Sequence, residues 1–416
     1  MSVGRDNALG IYISIPFCRS KCTYCNFASG VYPASEHISY VNRVIADMTA
    51  ANQWAREMEL DLPRQVDTVY LGGGTPSLLA PDLLKSLFAA MRSEFEIDAD
   101  AEITVECAPG QLSDEVLAAL VSAGVNRVSL GVQSFIDREA HESGRLHSRT
   151  IVADDLRRLR AVGITNLNAD LIAGLAGQTF ASWQESLDAL IDSGVPHASV
   201  YMLEVDEDSR LGREMLAGGV RYHASLVPSD ETIARMYSIA IERLARAGLA
   251  QYEISNFCRP GFGAQHNLRY WLRRPYLGLG LDASSMLYAR AQGAVPAESG
   301  YVLRSTTSDD LTTFLQGSQP PEIAWLSGAR QHEEAWFLGL RLNAGVDVSE
   351  LEAEFGEPVV AAAIEKLPRL KENGLVTSVG NTVRLTRQGQ LLSNEVFQEF
   401  LGLEAATDLV TSEKVS

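Results

Sequence analysis

The chain has 416 residues, 46% hydrophobic and 21% charged, enough for one large domain and a smaller one with ordinary cores. Its 35 basic and 53 acidic residues leave a net charge of −18. That argues against nucleic acid or an anionic membrane surface as the main partner, since both are held through an excess of Lys and Arg. No apolar run is long enough to span a membrane, and Met1 to Gly10 lacks the hydrophobic core of a signal peptide. The expectation is a soluble cytoplasmic protein.

Short β-branched runs alternate with amphipathic stretches along the first half of the chain. Strands are predicted at Ile11 to Ile15, Asp67 to Leu71, Glu102 to Glu106, Val125 to Leu130, Thr165 to Ile172 and Ala198 to Leu203. Helices are predicted between them at Pro81 to Glu94, Ser113 to Ala123, Thr150 to Ala161 and Trp183 to Asp192. Ser113 before Asp114 and Glu115 is a helix start, and Gly124, Gly163 and Gly194 stand where helices stop. Six β-then-α units in series imply a parallel sheet with right-handed crossovers. Each strand delivers a polar group or glycine loop at its C-terminal end: Cys18, Gly72 to Gly74, Glu106, Gln133, Asp170 and Glu204. Parallel α/β folds build sites at that edge, and six contributors gather more readily on a curved sheet than on a flat one. The expectation is an α/β fold, a partial (β/α)6 TIM-like barrel over residues 1–230.

The rhythm then changes. Asp230 to Ala247 reads as a helix, and Phe257 to Leu287, rich in Gly, Arg and aromatics, reads as an irregular loop region within a unit spanning 231–320. From Gln331 to Phe400 two or three helical patterns, including Pro358 to Glu372, surround a small hairpin at Leu375-Val376 and Thr382 to Leu385. This predicts a mainly helical, winged-helix-like C-terminal domain over 321–416. With few clustered basic residues, it reads as a packing domain rather than a DNA reader. The last dozen residues are polar and read as loose.

Five cysteines are too few for a disulfide scaffold, and three of them lie within eight residues: Cys18-Arg-Ser-Lys-Cys22-Thr-Tyr-Cys25. Structural zinc wants four protein ligands, and no fourth Cys or His lies near. A cubane iron–sulfur cluster takes one thiolate per iron, so three thiolates leave one iron open, as a site that binds a cosubstrate requires. The alternative is a zinc knob completed by Cys258 or a distant His. Cys107, next to Glu106 on a strand, points the other way and reads as an inert buried thiol.

The Cys-x-x-x-Cys-x-x-Cys loop after a first strand resembles that of the radical S-adenosylmethionine (SAM) enzymes. Further blocks resemble the oxygen-independent coproporphyrinogen III oxidase family: Tyr12-Ile-Ser-Ile-Pro16-Phe17-Cys18, Gly72-Gly-Gly-Thr75-Pro76-Ser77, Gly131-Val-Gln133-Ser-Phe135, Asp170-Leu-Ile-Ala-Gly174-Leu and His266-Asn267-Leu-Arg-Tyr270-Trp271. They cover about residues 10 to 285, and Leu385-Thr386-Arg-Gln-Gly389 with Leu392-Ser393-Asn394 extends the likeness to the C-terminal region. The oxidase adds a fourth cysteine two positions after the third and an N-terminal extension. Here Cys25 is followed by Asn26 and Phe27, and seventeen residues precede Cys18. Both departures are similar to the HemW heme chaperones.

The resemblance implies a [4Fe–4S] cluster on Cys18, Cys22 and Cys25, with SAM chelated at the open iron. It implies heme as ligand and cargo, and heme-accepting apoproteins such as respiratory enzymes as partners, with delivery in the cytoplasm or at a membrane surface. The alternative it leaves open is an enzyme: oxidative decarboxylation of coproporphyrinogen III, or other porphyrin-directed radical chemistry. By the same match Gly72, Gly73, Gly74 and Thr75 approach the SAM amino group closely, and Glu106 complements that group's charge. Arg145 pairs a SAM carboxylate, Gln133 and Asp170 hold ribose or amino-acid groups, Tyr12 lies beside the sulfonium and Tyr24 near adenine. One or two SAM molecules are both compatible with this set. His266, an imidazole beside Tyr270 and Trp271, suits an axial ligand to heme, with Arg269, Arg273 and Arg274 either pairing propionates or lying on solvated surface; Cys258 is a second heme ligand to consider.

Overall fold

The computed structural model describes residues 8–290 and 302–403. Six parallel strands run in chain order: β1 (Leu9–Ile15), β2 (Gln65–Gly73), β3 (Glu96–Cys107), β4 (Arg127–Gln133), β5 (Asn166–Ala173) and β6 (His197–Met202). The expected helices lie between them, at Pro81–Glu94, Asp114–Ser122, Arg149–Ala161 and Phe180–Asp192. Their starts are capped as residue type dictates: the side chains of Ser113, Ser148 and Thr179 accept from backbone amides of the first turn. Their ends are closed by Gly124, Gly163 and Gly194, with φ of +81°, +92° and +69°, values that only glycine adopts without strain.

The two faces of this curved sheet are chemically opposite. Outward residues such as Ile11, Ile13, Val69, Leu71, Val105, Leu130, Leu167 and Val200 pack into one large apolar core with the helices. Inward residues are almost all polar or glycine, and the register aligns them: Tyr12 with Tyr70 and Thr104, Glu106 with Ser129 and Asn168, Gly131 with Asp170 and Ser199. A barrel lined this way is built to hold something polar, not to be filled by its own side chains.

The region read as an irregular loop, Phe257 to Leu287, is instead ordered. It contains β7 (Asn256–Cys258), the helix Gln265–Trp271, β8 (Tyr276–Gly280) and most of β9 (Ser284–Ala289). Strand β8 pairs in parallel with the free side of β1, and β9, β10 (Val302–Thr306) and β11 (Glu322–Leu326) continue the sheet antiparallel. Its two glycines disguised β8. A Cβ on Gly278 would lie 2.1 Å from the Ser284 carbonyl oxygen, so glycine there permits close approach of the next strand and does not signal a turn.

A second, smaller core gathers Trp336 stacked on Phe400, with Leu351, Val360, Leu370, Val383 and Val396. The expected hairpin is present as Val376–Val379 and Thr382–Leu385, with Val346–Asp347 as a third strand. The stretch expected as one helix from Pro358 to Glu372 is two, Glu357–Ile364 and Leu367–Glu372. Pro368, which has no N–H to donate, stands in the first turn of the second. The last dozen residues lie outside the described chain. Among the described residues no helix is long and apolar enough to cross a membrane.

Candidate functional site

The cysteine loop leaves β1 and folds back on itself. Cys18 N–H donates to Gly30 O at 2.8 Å and Gly30 N–H to Pro16 O at 2.8 Å, closing its base. Inside the loop the Lys21 ammonium donates to the carbonyls of Phe27 and Ser29 at 2.6 and 2.8 Å. Two neighbours grip the outside: Thr23 N–H donates to Ser143 O, and Leu211 N–H to Thr23 O. All three thiols are free, and a polar group reaches each of them, the Ser29 hydroxyl lying 3.9 Å from Cys25 Sγ. The Thr75 hydroxyl lies 3.9 Å from Cys18 Sγ, and Arg145 Nη1 lies 3.6 Å from Cys22 Sγ. Donors aimed at sulfur suit cluster-bound thiolates. Among the described residues no three His, Cys, Asp or Glu side chains are set for a single metal ion. Cys258, the sulfur that would complete a zinc knob, pairs with His197 at the opposite, N-terminal rim.

The glycine loop after β2 is fitted against this one. Gly74 N–H donates to Ile15 O and Thr75 N–H to Phe17 O, each at 2.8 Å. A Cβ on Gly74 would stand 2.8 Å from both of those carbonyl oxygens, and Gly73 has φ +96°. A Cβ on Gly72 would press on the Tyr70 ring at 2.8 Å and on the Glu106 carboxylate at 3.1 Å, so glycine leaves that hydrogen-bonded pair its room.

Glu106 points into the barrel and accepts from the Tyr70 hydroxyl at 2.7 Å. Burial pushes its pKa up to about 7, against the lowering effect of the Tyr70 bond. Asp170 is also raised by burial, while Ser199, Asn168 and Ser129 hold it. Gln133 sits at the end of β4 with φ +68°, and its Oε1 is buried with no hydrogen-bond partner. Such an orphaned acceptor beside a polar cavity is what a ligand hydroxyl would satisfy. Arg145 bridges the rim, donating to Gly131 O as well as to Cys22. Tyr12 lies inside the barrel 6.1 Å from the Tyr70 ring, whereas Tyr24 packs with Leu175, Leu203 and Leu211 beside the cluster loop. The C-terminal mouth therefore unites Cys18, Cys22, Cys25, Gly73, Gly74, Thr75, Glu106, Gln133, Arg145 and Asp170, with Tyr12 below them and Tyr24 beside the loop.

His266 is not at that mouth, and here the structure corrects the sequence expectation. Helix Gln265–Trp271 plugs the barrel from the N-terminal side, its first amides donating to the Glu102 carboxylate at 3.0 Å. The His266 ring is fully buried and both nitrogens are engaged: Nδ1 with Thr68 Oγ1 at 3.0 Å, Nε2 with the Tyr270 hydroxyl at 2.9 Å. Burial, then the charges of Arg269 and Arg127, lower its pKa to about 3, so the ring is neutral. Neither nitrogen is open to iron. Arg269 is equally committed, to Asp67, Thr68 and the carbonyls of Ala8 and Pro275, and Arg273 forms a two-pronged pair with Glu354 at 2.6 and 2.9 Å. Neither arginine presents itself to a propionate. Cys107 is buried on the outer face, its thiol pushed up to about 12 by burial, as an inert thiol should be.

Sequence reasoning missed the polar column beneath the mouth. Asn168 Nδ2 donates to Ser129, Asp170 and Ser199, its Oδ1 meets His197 Nδ1 at 2.6 Å, and His197 Nε2 meets the Tyr252 hydroxyl at 2.9 Å. The signal was available: Ser129 and Asn168 break two apolar strands at matching register, and Ser199 does so in the next strand opposite Asp170.

Residues 12–190 match the Radical SAM superfamily and residues 326–392 the HemN C-terminal domain. The heme chaperone HemW of Bacillus subtilis is 34% identical, over 94% of this chain and 98% of its own. The HemW proteins of Lactococcus lactis and Escherichia coli are 32% and 29% identical, over 94% of this chain and 96% and 98% of theirs. The chain belongs to the HemW family. Its fold is also that of the coproporphyrinogen III oxidase HemN of E. coli, with a TM-score of 0.79 at 22% identity, over 96% of this chain and 91% of that one. In this HemW-family chain the radical SAM match spans the strands that carry the cysteine loop, Gly74, Glu106, Gln133 and Asp170.

Proposed function

We propose that this protein is a cytoplasmic heme carrier that delivers heme to acceptor apoproteins, including respiratory enzymes, and holds a [4Fe–4S] cluster with SAM at the barrel mouth. The observation that carries the reading is the match along nearly the whole chain to proteins named as heme chaperones. Cys18, Cys22 and Cys25 would hold the cluster, whose open iron supplies a chelating position for SAM. The backbone of Gly72 to Gly74 and the Glu106 carboxylate would receive the ammonium group, and Arg145 the carboxylate. Gln133 Oε1 and Asp170 would accept ribose hydroxyls or amino-acid N–H groups. Tyr12 would close the pocket from below and Tyr24 from the side. Residues 1–230 would be the unit for this site, 231–320 would brace it from the opposite rim, and 321–416 would be a smaller packing domain joined to the main sheet through β11.

Oxidative decarboxylation is the competing reading, and position 27 speaks against it. Where the oxidase pattern has its fourth cysteine, two positions after the third, this chain has an exposed Phe27 with no sulfur to offer. The test is anaerobic reconstitution followed by two assays. With SAM, a reductant and coproporphyrinogen III, no protoporphyrinogen should form; with hemin, binding should approach one per chain and pass to an apoprotein. Multiple turnovers to protoporphyrinogen would overturn the carrier assignment.

A further inference from the structure

A heme carrier needs an open seat for heme, and the argument here rests on the proposed carrier function. We propose that heme binds on the outer face of residues 210–228, beside the cluster loop, with His223 as its axial ligand. This segment follows β6 and lies against the cysteine loop: Arg210 Nη1 donates to Lys21 O at 3.2 Å, and Leu211 N–H to Thr23 O at 2.8 Å. Three of its aliphatic side chains are uncovered. Leu216 is 68% exposed, Val220 80% and Leu226 52%, within eleven residues of one another. That concentration is unlike the scattered exposed aliphatics of an ordinary surface.

The charge on this face matches the ligand. Arg210, Arg213 and Arg221 are exposed on a chain whose net charge is −18. The acid among them, Glu214, is turned onto the Arg221 backbone amide at 3.0 Å. An apolar plate with two carboxylates is complementary to an apolar patch edged by arginines. The imidazole is available as well. Tyr222 and His223 both have φ of +56°, two successive non-glycine residues in the left-handed region, which holds the His223 side chain half exposed. Glu142 lies 3.9 Å from Nε2, and that carboxylate is already paired with Arg138 at 2.9 Å. Of the other histidines, His197 and His266 are buried with both ring nitrogens bonded, His332 is buried with Nε2 bonded, His147 is buried, His37 is half-buried and stacked on the Phe17 ring, and His141 is exposed but lies outside this segment.

The test is a hemin titration followed by Soret absorbance on the full chain, comparing the parent with His223→Ala, the double variant Leu216→Asp/Val220→Asp, and His141→Ala as an exposed-histidine control. Loss of a direct ligand should weaken binding about tenfold or more and move the Soret band, since even outer partners of metal ligands are worth that much. The double variant should also bind more weakly, and His141→Ala should match the parent. Parent-like affinity and spectrum in His223→Ala would overturn this seat while leaving the carrier function standing. A parent that binds no hemin removes the carrier function itself. If the double variant keeps its hemin affinity but no longer passes hemin to an apoprotein, the patch docks the acceptor and the heme assignment is overturned.

Discussion

Replacing His266 by alanine separates a structural plug from a heme ligand. The ring is wholly buried, bonded through both nitrogens, and 5.4 Å from the Tyr70 ring that leads up to Glu106. Thr68 Oγ1 already accepts from Arg269 Nε, so its proton is available to Nδ1, which leaves Nε2–H to donate to Tyr270. Truncation removes two buried hydrogen bonds at about 1 kcal/mol each and orphans the Tyr270 hydroxyl. The cavity left by the ring adds roughly 1–2 kcal/mol, for a loss of about 3 kcal/mol. Urea unfolding of the apo chain should show that loss, and SAM binding to the cluster-loaded chain should weaken because Tyr12 and Tyr70 lose the ring beneath them. Hemin affinity should match the parent. A variant as stable as the parent that binds hemin about tenfold more weakly would refute the plug and restore His266 as ligand.

Two further outcomes follow from the mouth of the barrel. Glu106 is raised from an ordinary 4.5 to about 7, so its ionisation opposes folding: the apo chain should lose stability as pH rises between those values and level off above them. At about 1.4 kcal/mol for each pH unit the loss is about 3 kcal/mol, and Glu106→Gln should abolish it in unfolding curves taken from pH 5 to 8. SAM, whose ammonium needs the ionised carboxylate, should bind more tightly at pH 8 than at pH 6 in the parent and equally at both in the variant; a parent with no pH dependence contradicts the role. Gly74→Ala places a methyl group against two carbonyl oxygens that are backbone and cannot turn aside. Displacing the loop breaks the bonds to Ile15 and Phe17, a cost of about 2–4 kcal/mol, and iron per chain after reconstitution should fall sharply. Full iron content at parental stability would show that the two loops are not coupled.

The barrel was legible because each of its six strands is an apolar run with a helix after it, and the cysteine spacing marked the edge where the site forms. Strand β8 was hidden by Gly278 and Gly280, which serve close packing rather than a turn. The motif around His266 was legible as chemistry but not as orientation. An imidazole followed by aromatics at helical spacing reads the same whether its face meets solvent or Thr68. Only the return of helix Gln265–Trp271 to the start of β2, a contact between residues about two hundred positions apart, decides it. The polar column at Ser129, Asn168 and Ser199 was missed for a related reason. Each polar residue alone is an ordinary interruption of a strand, and only the pairing of neighbouring strands, with Ser129 opposite Asn168 and Ser199 opposite Asp170, lets the Asn168 side chain join the three.

These placements give the protein two chemically distinct surfaces that share one element. The polar interior suits a zwitterionic cosubstrate, whereas the apolar, arginine-edged segment 210–228 faces outward. The cluster loop lies between them, bonded to the interior rim through Thr75 and Arg145 and to the outer segment through Lys21 and Thr23. A cluster on the proposed cysteines would bind the same loop against which residues 210 and 211 are held, so a ligand on either surface would act on a shared support. Binding linkage is reciprocal: whatever factor SAM imposes on heme affinity, heme must impose on SAM. Under the proposed carrier function and heme seat, heme release would follow the state of the cluster site without chemistry on the porphyrin, and the cysteine loop would be the support common to cosubstrate and cargo.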